Sequence, residues 1–272
     1  MQALRIDQAD DPRLAGYTHL ADPKRLRQKG WFVAEGRLVV ERLLAHGGYE
    51  IDSLLLNDSA WRALEPTLRE RAVSAPVYLC PAELFAHLTG HDFHRGCLAL
   101  VRRPLPIPLA RVIAAARVLV VLEGVGNPDN VGSVFRNVAA FGADAVLLGP
   151  RSGDPLYRKT IRTSMGASLR VPFASVGDTD APWPECLSLL AAQGFELLAL
   201  TPSPAALDID VFAALPGRAP RFALLLGAEG DGLSDAALER ADRRLRIAIC
   251  PEVDSLNLAV ACGIALQRLM PR

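Results

Sequence analysis

The sequence predicts an α/β protein: a mostly parallel sheet in the C-terminal part, preceded by a smaller α/β domain. Three observations carry this. Short apolar runs, Val118 to Leu122, Ala145 to Leu148 and Phe222 to Leu226, have strand length and no period-two alternation, as strands buried on both faces do. Between them lie segments with apolar residues at helical spacing, such as Val131, Val134, Phe135, Val138 and Phe141, ended by Gly142. Strand and helix signals then alternate strictly after a proline-rich stretch, R-R-P-L-P-I-P-L at 102–109.

Taken in order, residues 1 to about 23 are polar and predict an irregular or short helical lead-in. The run K-R-L-R-Q-K at 24–29 follows, and then Leu38, Val39, Leu43 and Leu44 form one helical stripe ended by His46-Gly47-Gly48. Ile51 to Leu56 reads as a strand, Trp61 to Arg71 as a helix interrupted by Pro66, and Val77 to Cys80 as a short strand. Pro81 to Leu88 reads as a helix with proline in its first turn, and Gly96 to Val101 as a strand. Pro104, Pro106 and Pro108 fix φ and disfavour helix at each preceding residue, so 104–116 is expected to be an extended, semi-rigid linker. It separates a domain at 1–103 from one at 117–272. In the second, strands are expected near 118–122, 144–148, 171–174, 195–200, 222–226 and 244–249. Helices are expected near 130–141, 155–162, 183–193, 234–241 and 256–269.

Half of the residues are hydrophobic and the mean hydropathy is +0.20, enough apolar material for a core and unlike a disordered chain. Thirty basic and thirty acidic side chains cancel, so any nucleic-acid contact must come from local clusters. Two are present: Lys24, Arg25, Arg27 and Lys29, and then Arg158, Lys159, Arg162 and Arg170. Either could equally be a solvated face. Five scattered cysteines without a C-x-x-C pair suggest a reduced, cytoplasmic chain, and the five histidines lack zinc-ligand spacing, so no metal is expected. No apolar run reaches the roughly 18 residues of a membrane span. The N-terminus shows no targeting segment, so neither membrane nor secretion is expected.

Three loops follow predicted strands, at the edge where open α/β sheets bind ligands. The first is G-V-G-N-P-D-N-V-G at 124–132. A single arginine, Arg136, sits in the apolar helix after it, with Asn130 near the helix start. The second is L-G-A-E-G-D-G-L-S at 226–234, whose glycines permit tight turns and close approach of a ligand. No Walker lysine and no G-x-G-x-x-G pattern accompanies it. The third is I-A-I-C-P-E-V-D-S-L-N-L-A-V-A-C-G at 247–263. Here Ser255 is placed to cap a helix with Asn257 in its first turn, and Ala259, Ala261 and Gly263 predict close packing against another element.

Together these loops resemble the SpoU family of RNA ribose 2′-O-methyltransferases, within the superfamily of trefoil-knotted methyltransferases. The resemblance rests on N-P-D-N-V-G-S-V-F-R-N-V-A-A-F-G at 127–142, the 226–234 loop and S-L-N-L-A-V-A at 255–261, with R-K-T-I-R-T-S-M-G-A at 158–167 between them. Residues 32–101 are similar to the family's small substrate-binding domain, through F-V-A-E-G-R at 32–37 and H-R-G-C at 94–97. The resemblance implies an S-adenosylmethionine (SAM) cofactor, a deep knot in the C-terminal region, and a homodimer with active sites at the subunit interface. It implies that Gly227, Glu229, Gly230, Ile247, Ile249 and Leu256 hold the cofactor. It also implies that Arg136 is catalytic, with Asn130, Glu229, Ser255 and Asn257 around it, and that Arg158, Lys159, Arg162, Lys24, Arg25 and Arg27 bind RNA. The family has Ile-Pro-Met where this chain has Ile247-Ala248-Ile249, which leaves the path of that loop open.

A ribose hydroxyl is a weak nucleophile, so positioning must supply much of the rate and some group must take its proton or stabilise the charge that develops. Arginine is normally fully protonated, so Arg136 fits phosphate anchoring and charge stabilisation better than proton removal. A rival from another class is a non-catalytic RNA-binding protein that keeps the knotted fold.

Overall fold

The computed structural model of the chain describes residues 3–17, 20, 22–89, 96–176 and 182–270. His94 and Arg95, half of the H-R-G-C match, lie outside them.

The first part of the chain runs β1 (Ala3–Arg5), α1 (Pro23–Gln28), β2 (Trp31–Glu35), α2 (Arg37–His46), β3 (Ile51–Leu56), α3 (Asp58–Glu70), β4 (Val77–Leu79), α4 (Ala82–Thr89) and β5 (Cys97–Arg102). The second runs α5 (Leu109–Ala115), β6 (Val118–Glu123), α6 (Pro128–Phe141), β7 (Ala145–Leu148), α7 (Arg158–Thr163), β8 (Phe173–Ser175), α8 (Glu185–Ala192) and β9 (Glu196–Leu200). After these come β10 (Leu207–Asp208), α9 (Ile209–Ala213), β11 (Phe222–Gly227), α10 (Asp235–Arg240), β12 (Arg243–Arg246) and α11 (Leu258–Leu269). Two units result: Met1–Leu105 with Leu156–Arg170, and Pro106–Pro155 with Val171–Arg272.

The first unit holds a five-stranded mixed sheet in the order β1-β4-β3-β5-β2, in which β5 runs antiparallel to both neighbours. Its lead-in is more ordered than the polar sequence predicts. Strand β1 pairs with β4, and Ile6, Leu14 and Tyr17 are buried, with Tyr17 Oη 2.9 Å from Ser53 Oγ. A few apolar residues spaced among polar ones were enough to anchor it. Helix α3 runs unbroken through Pro66, where the sequence predicts an interruption.

The second unit is built on seven strands, all parallel, in the order β10-β12-β9-β11-β6-β7-β8. The apolar runs follow directly from this arrangement. Val118, Val120 and Leu122 of β6 pack with α6, α9 and α11 on one face, while Leu119 and Val121 pack with α5, α8 and α10 on the other. A strand covered on both sides has no polar positions to alternate.

Two helices depart from expectation. Residues 109–115 are helical where an extended linker was predicted, because Pro108 sits at the N-cap, where a proline costs nothing. Leu109, Val112 and Ile113, at i, i+3 and i+4, are buried. Helix α9 is a five-residue turn capped by Asp208, too short for its periodicity to stand out.

Candidate active site

A cavity of about 380 Å³ opens over the carboxyl ends of β9, β11 and β12, within the ~300–1,000 Å³ usual for small-molecule sites. One wall is the loop after β11. Its backbone turns back on itself through an Ala228–Gly232 bridge, with φ of +91° at Gly230 and +71° at Gly232. Gly227 is required by a close approach: a Cβ there would lie 2.1 Å from the carbonyl carbon of Gly232. The opposite wall is Ile247, Ile249 and the segment Asp254–Leu256, and the floor includes Leu226, Leu258 and Ala261. All six residues expected to hold a cofactor, Gly227, Glu229, Gly230, Ile247, Ile249 and Leu256, line this one cavity. Strand β12 stops at Arg246, so Ile247 and Ile249 lie in irregular chain beyond it rather than in the strand expected to reach 249.

A polar cluster ties the walls together. Asn257 Nδ2 donates to Glu229 Oε1 at 2.9 Å and to Asn130 Oδ1 at 3.2 Å. Asn257 Oδ1 accepts from the backbone N–H groups of Ala259 and Val260, at 3.0 and 3.4 Å. Asn257 is therefore the N-cap of α11, correcting the expectation for Ser255, which lies two residues earlier, exposed on the cavity wall. Both side chains are cap formers; the difference is which one reaches the N–H groups of the first turn. Deeper along the helices, Asn137 Nδ2 donates to the Ala259 carbonyl at 2.6 Å. A Cβ on Gly263 would come 3.3 Å from that amide. The small residues of α11 thus admit α6 closely, as predicted. The pairs 130–257 and 137–259 show that the two helices run in the same direction.

Arg136 behaves differently. Helix α6 buries Val131, Val134, Phe135 and Val138, whereas Arg136 is exposed and, among the described residues, has no hydrogen bond or ion pair. The guanidinium is not inside an apolar helix, because the helix is buried on one face and position 136 falls on the other. Nor does a single chain bring it into the cavity, whose lining does not include it.

The basic residues divide. Lys24, Arg25, Arg27 and Lys29 are exposed on and just after α1, which buries Leu26, and Lys29 Nζ lies 5.5 Å from the Trp31 ring centroid. Arg158 is 15% exposed and lies 3.5 Å from buried Glu35, which Arg162 also approaches at 3.7 Å while remaining 46% exposed. Lys159 is half-buried and Arg170 exposed. The segment carrying these residues packs in the first unit, where Tyr49 Oη donates to the Leu169 carbonyl at 3.0 Å.

Sequence reasoning missed a fourth edge loop. Thr201 and Pro202, directly after β9, line the cavity. The signal was available: T-P-S-P follows an apolar strand, a turn cluster like those of the other three loops. It also missed buried Glu123 at the end of β6, which accepts from Trp183 Nε1 at 2.7 Å and from the Ser234 N–H at 3.0 Å. That carboxylate holds the start of α10, just after the glycine loop.

Among the described residues no helix is long and apolar enough to cross a membrane, and no group of three or more His, Cys, Asp or Glu could hold a metal. A fully parallel, doubly covered sheet with a ligand-sized cavity over its central strand ends defines the α/β class of small-molecule-using enzymes. Within that class the chain belongs to the SpoU rRNA methylase family, which it matches over residues 117–267. Membership makes the protein an S-adenosylmethionine-dependent RNA methyltransferase.

Its relatives agree. An uncharacterised tRNA/rRNA methyltransferase of Mycobacterium tuberculosis is 41% identical over 261 residues, covering 94% of this chain and 88% of its own. RlmP of Bacillus subtilis, a 23S rRNA guanosine 2′-O-methyltransferase, is 25% identical over 265 residues, 97% of this chain and 98% of its own. Among solved structures, an AdoMet-bound rRNA methyltransferase from Sinorhizobium meliloti shares the fold, with a TM-score of 0.81 at 23% identity over 99% and 98% of the two chains. An RNA 2′-O ribose methyltransferase superposes with a TM-score of 0.75 at 26% identity over 98% of each.

Proposed function

We propose that the protein methylates a ribose 2′-hydroxyl of rRNA or tRNA, with SAM in the cavity beside Glu229, Asn257 and Asn130. The observation that carries this is the convergence of the loops after β9, β11 and β12 on one cavity of cofactor size, the last two tied to each other and to Asn130 of α6 by a single side chain, Asn257. The residues present suit such a guest. Apolar walls at Ile247, Ile249, Leu256 and Leu258 match a purine and ribose, and the open backbone at Gly230 and Gly232 leaves room for contact through peptide groups. Glu229, exposed at the rim, supplies a carboxylate toward a cationic ligand.

When bound, SAM supplies an electrophilic methyl group on a sulfonium. The protein's task is then to hold the hydroxyl in line and handle its proton. Ser255 and Asn257 stand on the cavity wall and at its edge, where they can orient that hydroxyl. Arg136, permanently charged, anchors an adjacent phosphate and stabilises the developing oxyanion.

Because Arg136 lies outside its own chain's cavity, the site is completed by a second copy in a homodimer. The outer face of the α6–α11 layer supports this: Arg136 and Phe141 are exposed there, with Val260, 51% exposed. We assign residues 1–103 to RNA capture through Lys24, Arg25, Arg27 and Lys29, with 104–116 as the connection and 117–272 as the catalytic domain, threaded as a trefoil knot and acting in the cytoplasm. Arg158, Lys159 and Arg162 add phosphate contacts.

Calorimetric titration of SAM tests the reading directly: one saturable site per chain is expected, and absence of binding heat would refute it. Sedimentation equilibrium is expected to give a dimer.

A further inference from the structure

Resting on the reading above, we propose that Arg151 is a substrate-positioning residue that grips a phosphate of the RNA next to the target nucleotide. The loop that leaves β7 carries Arg151 at the carboxyl edge of the sheet, the same edge on which the cavity opens. Its backbone is left-handed, with φ +58°, a conformation that a side chain with a Cβ rarely adopts.

The loop is tied in this shape on both sides of Arg151. The Gly124 N–H donates to the Pro150 carbonyl at 2.9 Å, the Gly153 N–H to the Val125 carbonyl at 2.9 Å, and Ser152 Oγ to the Leu122 carbonyl at 3.1 Å. An arginine held where glycine or asparagine would be easier points to use rather than to folding.

The end of the side chain shows what that use is. Arg151 Nη2 lies 3.7 Å from the point where a Cβ on Gly124 would stand, and the Ala228 Cβ lies 3.3 Å from the same point. The guanidinium therefore lies beside the turn that follows β6, on the side where Ala228 of the glycine loop also approaches Gly124. It is exposed and, among the described residues, has no hydrogen bond or ion pair. Glu123, the residue before Gly124, is occupied by Trp183 and Ser234. By contrast, Arg158 and Arg162 face Glu35. A cation with no internal partner, on a loop held at the same sheet edge as a site whose substrate is a polyanion, matches a phosphate oxygen pair in its fork geometry.

Three variants test this: Arg151→Gly, Arg151→Ala and Arg151→Lys. The assays are SAM titration, binding to an in vitro-transcribed 23S rRNA across a salt series, and transfer of labelled methyl groups into that RNA. Arg151→Gly removes the cation and relaxes the backbone, so its Tm is expected to be unchanged or higher. Its KM for RNA is expected to rise about tenfold through loss of one charge-assisted contact. The slope of log K against log salt should shrink by about 0.7–0.9, the share of one phosphate. SAM affinity should stay the same, and Arg151→Lys should recover most of the salt slope. An Arg151→Gly protein with the parental KM and salt slope would overturn the assignment. Failure of the unmodified protein to bind SAM would instead strike the functional reading beneath it.

Discussion

Asn257 is the side chain through which the candidate site and the start of α11 become one structure, and replacing it separates the two roles. In Asn257→Ala the N-cap is lost, which costs about 1 kcal/mol. Asn130, buried on α6, loses the donor to its Oδ1, adding about 1 kcal/mol for a buried acceptor left unpaired. Glu229 is exposed and re-solvates, so its lost bond adds little to stability. The sum, about 2 kcal/mol, corresponds to a fall in Tm of roughly 4–8 °C for a unit of this size. Asn257→Asp keeps the acceptor that caps Ala259 and Val260, and its charge favours the helix N-terminus. It loses the donor and sets a second carboxylate against Glu229, so the cavity walls are no longer tied. Thermal melts and SAM calorimetry on both proteins decide the matter. Asn257→Asp keeps the cap and should melt within about 4 °C of the parent, the ~1 kcal/mol from the unpaired Asn130 acceptor being partly offset at the helix N-terminus, yet bind SAM at least tenfold more weakly, one lost charge-assisted bond. If Asn257→Asp bound SAM normally, the Glu229–Asn257–Asn130 cluster would be a helix cap and nothing more.

Other expectations follow from single observations. Gly227→Ala places a Cβ 2.1 Å from the Gly232 backbone, so the loop must open; SAM binding should fall below detection in calorimetry. Arg136→Ala should leave Tm and SAM affinity within error, because the side chain is exposed and unpartnered among the described residues, while methyl transfer to RNA is abolished. Normal turnover by that variant would remove Arg136 from the mechanism. Burial pushes the Cys80, Cys97, Cys186 and Cys262 thiols up from the ordinary 9.0 to about 12, while Cys250 is exposed. An Ellman titration near pH 8 should find one reactive thiol in the native protein and five after denaturation. The four raised values also set a sign: the unfolded chain releases these protons first, so their contribution is complete below pH 9 and is lost as pH rises from 9 towards 12. An alkaline denaturation series should show that decline.

Close to the cavity, the Cys250 thiol donates to the Glu252 carboxylate and holds that carboxylate below the ordinary range. Both lie in the loop between Ile249 and Asp254, where Pro251 follows the Ala248 that replaces the family's proline. Despite that change Ile247 and Ile249 both line the cavity, whereas Ala248 between them does not.

What the chain's own order of residues determined was everything that depends on local period and turn chemistry. The apolar runs of β6, β7 and β11 announced a doubly covered parallel sheet. The glycines at 227, 230 and 232 and the asparagines at 130 and 257 marked the loops that converge at its edge. Tertiary structure decided what depends on which distant groups meet. Asn257 rather than Ser255 caps α11, and the same side chain reaches Glu229, 28 residues away in the chain, and Asn130, 127 residues away. Arg136 turned outward because burial of one helical stripe leaves the opposite face to solvent. Arg158 and Arg162 found buried Glu35, so Leu156–Arg170 packs with the first unit although its sequence neighbours belong to the second. Arg151 lay in no recognisable motif at all: its left-handed backbone is imposed by bonds from Gly124 and Gly153, and strain of that kind leaves no trace in a sequence.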